Sequence, residues 1–234
     1  MSFRFKQFSV QDDRCAMKVG TDGVLLGAWA PIAVSIQPSA FRILDVGTGC
    51  GLVALMMAQR FPKAKIDAID IDEAAVKQTK ENFQYSAFSY QLSAFRSSLQ
   101  DWQGGPYDLI VSNPPYFRDS LKNPDAGRKT ARHTDTLSYG ELITHSARLL
   151  ADDGRLVIIL PAEAEETVRR LATDAGLTLE HITHVFSKET KPARRVLLAF
   201  SRQHSAFSED ILILENEKGG RSAAYSKLCE EFYL

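Results

Sequence analysis

Nowhere in the 234 residues does an apolar run approach the roughly 20 residues that a bilayer crossing needs. The opening stretch, MSFRFKQFSVQDDR, holds neither an apolar core of signal-peptide length nor a small-residue cleavage site. We therefore expect a cytoplasmic protein with no membrane association. Cysteine is scarce: Cys15, Cys50 and Cys229 stand far apart, fit no metal-ligand spacing and cannot all pair, which points to reduced, buried thiols. His181 and His184 lie three apart in an expected strand, so they face opposite ways and make a poor metal pair. No metal site is expected. Net charge is also lacking, with 28 basic against 29 acidic side chains. No field surrounds the whole molecule, which argues against a polybasic nucleic-acid coat but leaves room for locally sorted charge. Internal repeats and low-complexity segments are absent too.

What is present suits one α/β domain with a small appendage: 44% hydrophobic and 24% charged residues over this length. The first forty residues carry little clean period, apart from a short apolar helix over 21–30 that Thr21 or Asp22 would cap. From Phe41 the pattern alternates strictly. Strands are expected over 41–46, 65–71, 90–95, 107–112 and 155–161, and helices over 52–61, 73–83, 138–150 and 163–175, with Asp72 capping the second of these helices. Strands over 178–186 and 195–200 have no crossover helix between them, so they should pair as an antiparallel hairpin. A weak strand and helix follow residue 210. The fold class is α/β: a doubly wound, mostly parallel, seven-stranded Rossmann-like sheet with a final antiparallel strand. Residues 1–40 read as an N-terminal extension and 41–234 as the main domain.

Three motifs carry chemistry. ILDVGTGCG places Gly47, Gly49 and Gly51 between a strand and a helix, where the backbone turns tightly and approaches a ligand without Cβ obstruction. The spacing is GxGxG, and Leu52 stands where the dinucleotide fingerprint wants a small residue. Asp45 would repel a pyrophosphate; it suits a ligand carrying an ammonium and a sulfonium, which describes S-adenosylmethionine. AIDID closes the next strand, and Asp70, with Ile71 beside it, is placed to accept hydrogen bonds from two ribose hydroxyls. VSNPPYF follows the strand over 107–112. There Asn113 and the Pro114 carbonyl can accept the two N–H bonds of a planar amine, Pro115 stiffens the backbone, and Tyr116 offers a stacking face for a base.

DVGTGCG, Asp70 and NPPY together resemble the class I S-adenosylmethionine-dependent methyltransferases that act on planar amino groups. The opening FKQFSVQDDRCAMKVGTDGVLLGAWA, with ARH at 131–133 and KPARRVLL at 191–198, resembles the bacterial tRNA1(Val) adenine-N6 methyltransferase family, which modifies adenine 37 beside the anticodon. The resemblance implies S-adenosylmethionine as cofactor and tRNA as partner, with no obligate protein partner. It also implies that the N-terminal extension packs over the cofactor site, with Lys18, Thr21 and Asp22 over the methionine end. Ser98 stands where many relatives have an aspartate against the cofactor adenine.

Residues 118–134 and 188–195 each carry a local net charge of +3. Arg128, Lys129, Arg132 and His133 in the first, and Lys191, Arg194 and Arg195 in the second, are the candidate RNA contacts, beside Tyr116 and Phe117. Trp29 and Trp102 read as packing residues. Two rival functions remain: an N5-glutamine protein methyltransferase, whose target amide is also planar, and a methyltransferase fold that binds a partner without catalysis. The short segment ahead of the glycine loop argues against the first, and the intact NPPY against the second. Guanine-N2 enzymes, a further relative, tend to carry phenylalanine at the place of Tyr116.

Overall fold

The computed structural model describes residues 2–30, 41–115, 137–203 and 206–234. Two three-residue strands, β1 (Ser2–Arg4) and β2 (Ser9–Gln11), form an antiparallel hairpin ahead of helix α1 (Thr21–Trp29). The main sheet is then built from β3 (Arg42–Val46), β4 (Lys65–Asp70), β5 (Leu92–Arg96), β6 (Tyr107–Ser112), β7 (Leu150–Pro161), β8 (Thr178–Phe186), β9 (Ala193–Ser201) and β10 (Ser208–Ile213). Its helices are α2 (Leu52–Arg60), α3 (Glu73–Gln84), α4 (Tyr139–Leu149), α5 (Glu165–Asp174) and α6 (Ala223–Leu228).

The strand order is β10, β8, β9, β7, β6, β3, β4, β5, and every pairing is parallel except those of β9 with β7 and β8. The expected hairpin of the last two long strands is present. Two details differ from the expectation. The antiparallel strand lies inside the sheet, and β10 adds an eighth strand parallel to β8 at the edge. In β10 only one of the six residues is buried, so its hydrophobic pattern was too thin to rank it with the others.

Period-2 alternation of the strands splits the core in two. Ile43, Leu109, Val111, Val157 and Ile159 point to one face, where α1, α2 and α3 cover them. Leu44, Ile110, Leu156, Ile158 and Leu160 point to the other, beneath α4 and α5. The N-terminal segment joins the first core through Phe5, Phe8, Val10 and Cys15, and its Phe5 ring stacks on Tyr233 near the C-terminus. Trp29 and Trp102 act in packing: Trp29 donates to Thr183 and Trp102 to the Tyr107 hydroxyl.

Helix ends follow local rules with one correction. Asp72 caps α3 by accepting from the Ala74 amide, as its position predicts. Ser138 and Glu141 close a capping box on α4. Replacing Ser138 with alanine should cost about 1 kcal/mol, read as a Tm about 2–4 °C lower in thermal unfolding. The cap of α1 is neither Thr21 nor Asp22 but the extended Gly20, with no side-chain cap hydrogen bond. Thr21 is already helical, and the Asp22 carboxylate is engaged by Arg195 at 2.8 Å.

Strand order reverses between β3 and β6, with β4 on one side and β7 on the other. Such a switch point leaves a crevice beyond the carboxyl ends of the strands. The Ser112 hydroxyl donates to the Val46 carbonyl across this point at 2.8 Å, tying the two strand ends together.

Candidate cofactor and methyl-transfer site

A cavity of about 950 Å3 opens at the switch point. Its walls come from six places: the 16–19 turn, the loop after β3, the end of β4, the loop after β5, the residues following β6, and the start of α4. Sequence reasoning places Lys18, Asp45, Gly47, Gly49, Asp70, Ile71, Ser98, Asn113, Pro114 and Pro115 at a site, and all ten line this cavity.

The glycine loop is shaped by left-handed backbone. Gly47, Gly49 and Gly51 have φ of 69°, 57° and 82°, a region that disfavours side-chain-bearing residues. A Cβ on Gly47 or Gly49 would meet nothing within 4 Å, so the loop keeps an open face, whereas one on Gly51 would press into Phe83 at 2.7 Å. Gly51 is therefore a packing glycine that heads α2, and the other two border the cavity. The Gly47 and Thr48 amides both donate to the Ile69 carbonyl, and the Gly49 amide donates to Asp70 Oδ2 at 2.9 Å. Asp70 Oδ1 accepts from the Asp72 amide at 3.0 Å, so this carboxylate braces the loop as well as bordering the cavity. Ile71 beside it is 46% exposed, an apolar surface at the cavity edge.

Asp45 is 1% exposed. Its Oδ2 accepts from the Thr48 hydroxyl at 2.6 Å and from the Ala54 amide at 3.2 Å. Burial outweighs these two bonds and pushes the carboxyl up to about 7. Such a group ionises readily once a cation arrives beside it. Asn113 follows β6 directly. Its Nδ2 donates to the Met17 sulfur at 3.5 Å, while its Oδ1 is buried and accepts from no described residue. A buried acceptor without a donor costs free energy, and the residue that carries it lines the cavity.

Three expectations meet a different arrangement. Thr21 and Asp22 do not line the cavity; Asp22 pairs with Arg195, the residue expected to hold RNA, and each satisfies the other's charge. Ser98 lines the cavity, but its hydroxyl donates to Asp101 Oδ2 at 2.7 Å and accepts from the Asp101 amide at 3.1 Å. Lys18 lines the wall with its ammonium donated to the carbonyls of Asp12 and Asp13. Lys191 and Arg194 are exposed. Tyr116, Phe117, Arg128, Lys129, Arg132 and His133 lie outside the described residues.

The cavity also takes in residues that the sequence did not single out, among them Met17, Arg96, Gln100 and Glu141. Glu141 was findable through its capping box, since Ser138-x-x-Glu141 starts a helix. Burial pushes its carboxyl up, but hydrogen bonds from Ser138 and Gln100 outweigh that and leave it below its usual range. Met17 had no signal of any kind. Among the described residues no group of three or more His, Cys, Asp or Glu could hold a metal, and no helix is long and apolar enough to cross a membrane.

The donor set fits S-adenosylmethionine: a buried carboxyl for cationic groups, a strand-end carboxylate for ribose, an apolar edge for a base, and a glycine loop with an open face. Comparison with known proteins agrees. The sequence matches the methyltransferase small domain over residues 32–171. It is 45% identical over 236 residues to the tRNA1(Val) (adenine(37)-N6)-methyltransferase of Parabacteroides distasonis, covering 99% of this chain and 97% of that protein. The enzymes of the same name from Phocaeicola vulgatus and Tolumonas auensis are 46% and 43% identical over 99% and 100% of this chain, and each match covers 97% of the relative. In fold, the chain resembles a predicted O-methyltransferase from Agrobacterium tumefaciens, with a TM-score of 0.69, 16% identity and coverage of 90% of this chain and 96% of that one. It also resembles the magnesium protoporphyrin IX methyltransferase of Synechocystis, solved with S-adenosylmethionine bound, with a TM-score of 0.54, 20% identity and 76% coverage of each chain. With its cavity at the switch point and its relatives matched end to end, the chain belongs to the tRNA1(Val) (adenine(37)-N6)-methyltransferase family.

Proposed function

We propose that this enzyme transfers a methyl group from S-adenosylmethionine to N6 of adenine 37 in tRNA1(Val). The observation that carries the reading is the buried Asn113 Oδ1, an acceptor lacking a described donor, at the end of β6 on the cavity wall. S-adenosylmethionine, when bound, supplies an electrophilic methyl group on a sulfonium. Asp45 and Lys18 border the methionine end, Asp70 accepts from the ribose hydroxyls, and Ile71 and Ser98 border the adenine. Asn113 Oδ1 and the Pro114 carbonyl accept the two N–H bonds of the target amine. Held that way, the nitrogen is drawn toward pyramidal geometry and its lone pair is aimed at the incoming methyl. Pro115 fixes the backbone that presents both acceptors. The nitrogen sheds its proton after the methyl arrives, so no strongly shifted base is needed.

Tyr116 and Phe117 stack on the base, and Arg128, Lys129, Arg132, His133, Lys191 and Arg194 contact the RNA backbone; Arg195 is left to its pairing with Asp22. An anticodon-loop adenine suits this site because single-stranded loop bases can be splayed out and stacked. Residues 1–40 serve as a cover over the cofactor site and 41–234 as the catalytic domain. The enzyme works in the cytoplasm, with tRNA as its partner and no obligate protein partner.

The test is incubation with methyl-labelled S-adenosylmethionine and unmodified tRNA1(Val), in parallel with bulk tRNA and a release factor, followed by digestion to nucleosides or peptides. Label is expected in N6-methyladenosine at position 37. Label in methylglutamine or N2-methylguanosine, or none in tRNA, overturns the reading.

A further inference from the structure

We propose that Asn82, which lies outside the cavity wall, is a positioning residue that clasps the N-terminal cover to the glycine loop and so sets the affinity for the cofactor. The proposal rests on reading the cavity as the S-adenosylmethionine site.

Asn82 sits on α3 and is 4% exposed. Its Nδ2 donates to two carbonyls at 2.8 Å, Gln11 in β2 and Cys50 in the glycine loop. Its Oδ1 accepts from the Gln11 amide at 3.0 Å. One side-chain amide thus spends both donors and an acceptor on two segments that lie 71 and 32 residues away in sequence. Neither partner belongs to α3, so the bonds do nothing to hold the helix itself together.

What hangs from each end explains why the joint matters. On the cover side, Gln11 leads into Asp12, whose carboxylate accepts from the Val19 amide at 2.9 Å and whose carbonyl accepts from the Cys15 amide and from Lys18 Nζ. The 12–19 turn is therefore closed on itself, and it carries Met17 and Lys18 into the cavity wall, with the Met17 sulfur against Asn113. On the loop side, the Cys50 carbonyl lies between Gly49 and Gly51, while Thr79, one turn earlier on α3, donates to the Gly49 carbonyl at 2.7 Å. The two segments also share one apolar core, which buries both Cys15 and Cys50. Asn82 thus fixes the distance between two opposed walls of the cavity.

Leucine has nearly the shape of asparagine and no hydrogen-bonding group; aspartate keeps the shape but turns a carboxylate toward two carbonyls. Binding of S-adenosylhomocysteine to full-length Asn82→Leu and Asn82→Asp, measured by calorimetry without RNA, should be about tenfold weaker for leucine and weaker still for aspartate. Trypsin should cut after Arg14 and Lys18 faster in both variants. A role confined to stability would lower Tm and leave the affinity of the folded molecules unchanged. The wild-type protein offers a second readout that needs no variant. Saturating S-adenosylhomocysteine should slow hydrogen exchange of the Gln11 and Val19 amides, because coupling between cover and ligand is reciprocal. Unchanged affinity in a folded Asn82→Leu, or exchange at Gln11 indifferent to ligand, overturns the clasp. Failure of the wild-type protein to bind S-adenosylhomocysteine overturns the assignment of the cavity instead.

Discussion

Replacing Asn113 with alanine should lower methyl transfer by about 10²–10³-fold, leave binding of S-adenosylhomocysteine within about threefold, and leave the fold no less stable. The three parts of this result have one source. In the free protein Asn113 Oδ1 is buried and accepts from no described residue, so it contributes nothing to folding and costs on the order of 1–3 kcal/mol. Alanine removes that cost together with the weak contact from Nδ2 to the Met17 sulfur. The reaction, by contrast, loses an acceptor that is already in place when the amine arrives. Its neighbours keep it there: Ser112 on one side is bonded to Val46 across the switch point, and two prolines follow on the other. Asn113→Asp retains an oxygen at the same place and should lose less activity than alanine. Single-turnover transfer to tRNA, calorimetry and thermal unfolding read the three parts separately. A folded alanine variant retaining more than about a tenth of wild-type single-turnover transfer removes Asn113 from the mechanism.

The parts of this architecture that were legible in sequence are those set by local rules. Alternating apolar residues announce β3, β4, β6 and β7, the glycine spacing announces the loop, and Asp72 marks the start of α3; none of these needs a distant partner. The cavity residues supplied by strand ends follow from the same logic, because a residue just past a parallel strand must lie at the carboxyl edge of the sheet. Illegible were the contacts between remote charges and the parts of the cover that lack a period. Asp22 and Arg195 are separated by 173 residues, and each taken alone looks like a ligand group; together they neutralise one another. Ser98 is assigned to the adenine by resemblance, and only the structure shows its hydroxyl engaged by Asp101, three residues on. Strands β1 and β2 are three residues each, too short for any periodicity, and Phe5 in the turn between them stacks on Tyr233 at the far end of the chain. The turn that brings Met17 to Asn113 has no repeating pattern at all, yet it forms one wall of the site.

The second large effect lies at Asp45, where stability and binding pull in opposite directions. Its carboxyl is pushed up to about 7 in the folded protein, against a value near 4 in an unfolded chain. A raised folded value means that the proton stabilises the fold: the contribution is fully present below about pH 4 and is lost as pH rises through about 7. Above pH 7 the buried charge therefore costs the ligand-free protein up to about 4 kcal/mol. An asparagine side chain at this position would keep an oxygen for the Thr48 hydroxyl and the Ala54 amide while carrying no charge, so Asp45→Asn should be more stable than wild type at pH 8 and no different at pH 4. Cofactor binding runs the other way. A cationic ligand needs the ionised carboxylate, so wild-type affinity should fall about tenfold for each pH unit below about 7, with release of close to one proton on binding near pH 6. Calorimetry in buffers of differing ionisation enthalpy measures that proton directly. In Asp45→Asn the affinity should be lower throughout, and neither its pH slope below 7 nor the proton release should remain. A wild-type affinity that is flat between about pH 5.5 and 7 would mean that Asp45 meets no cation, and that its burial serves only to shape the turn into Thr48.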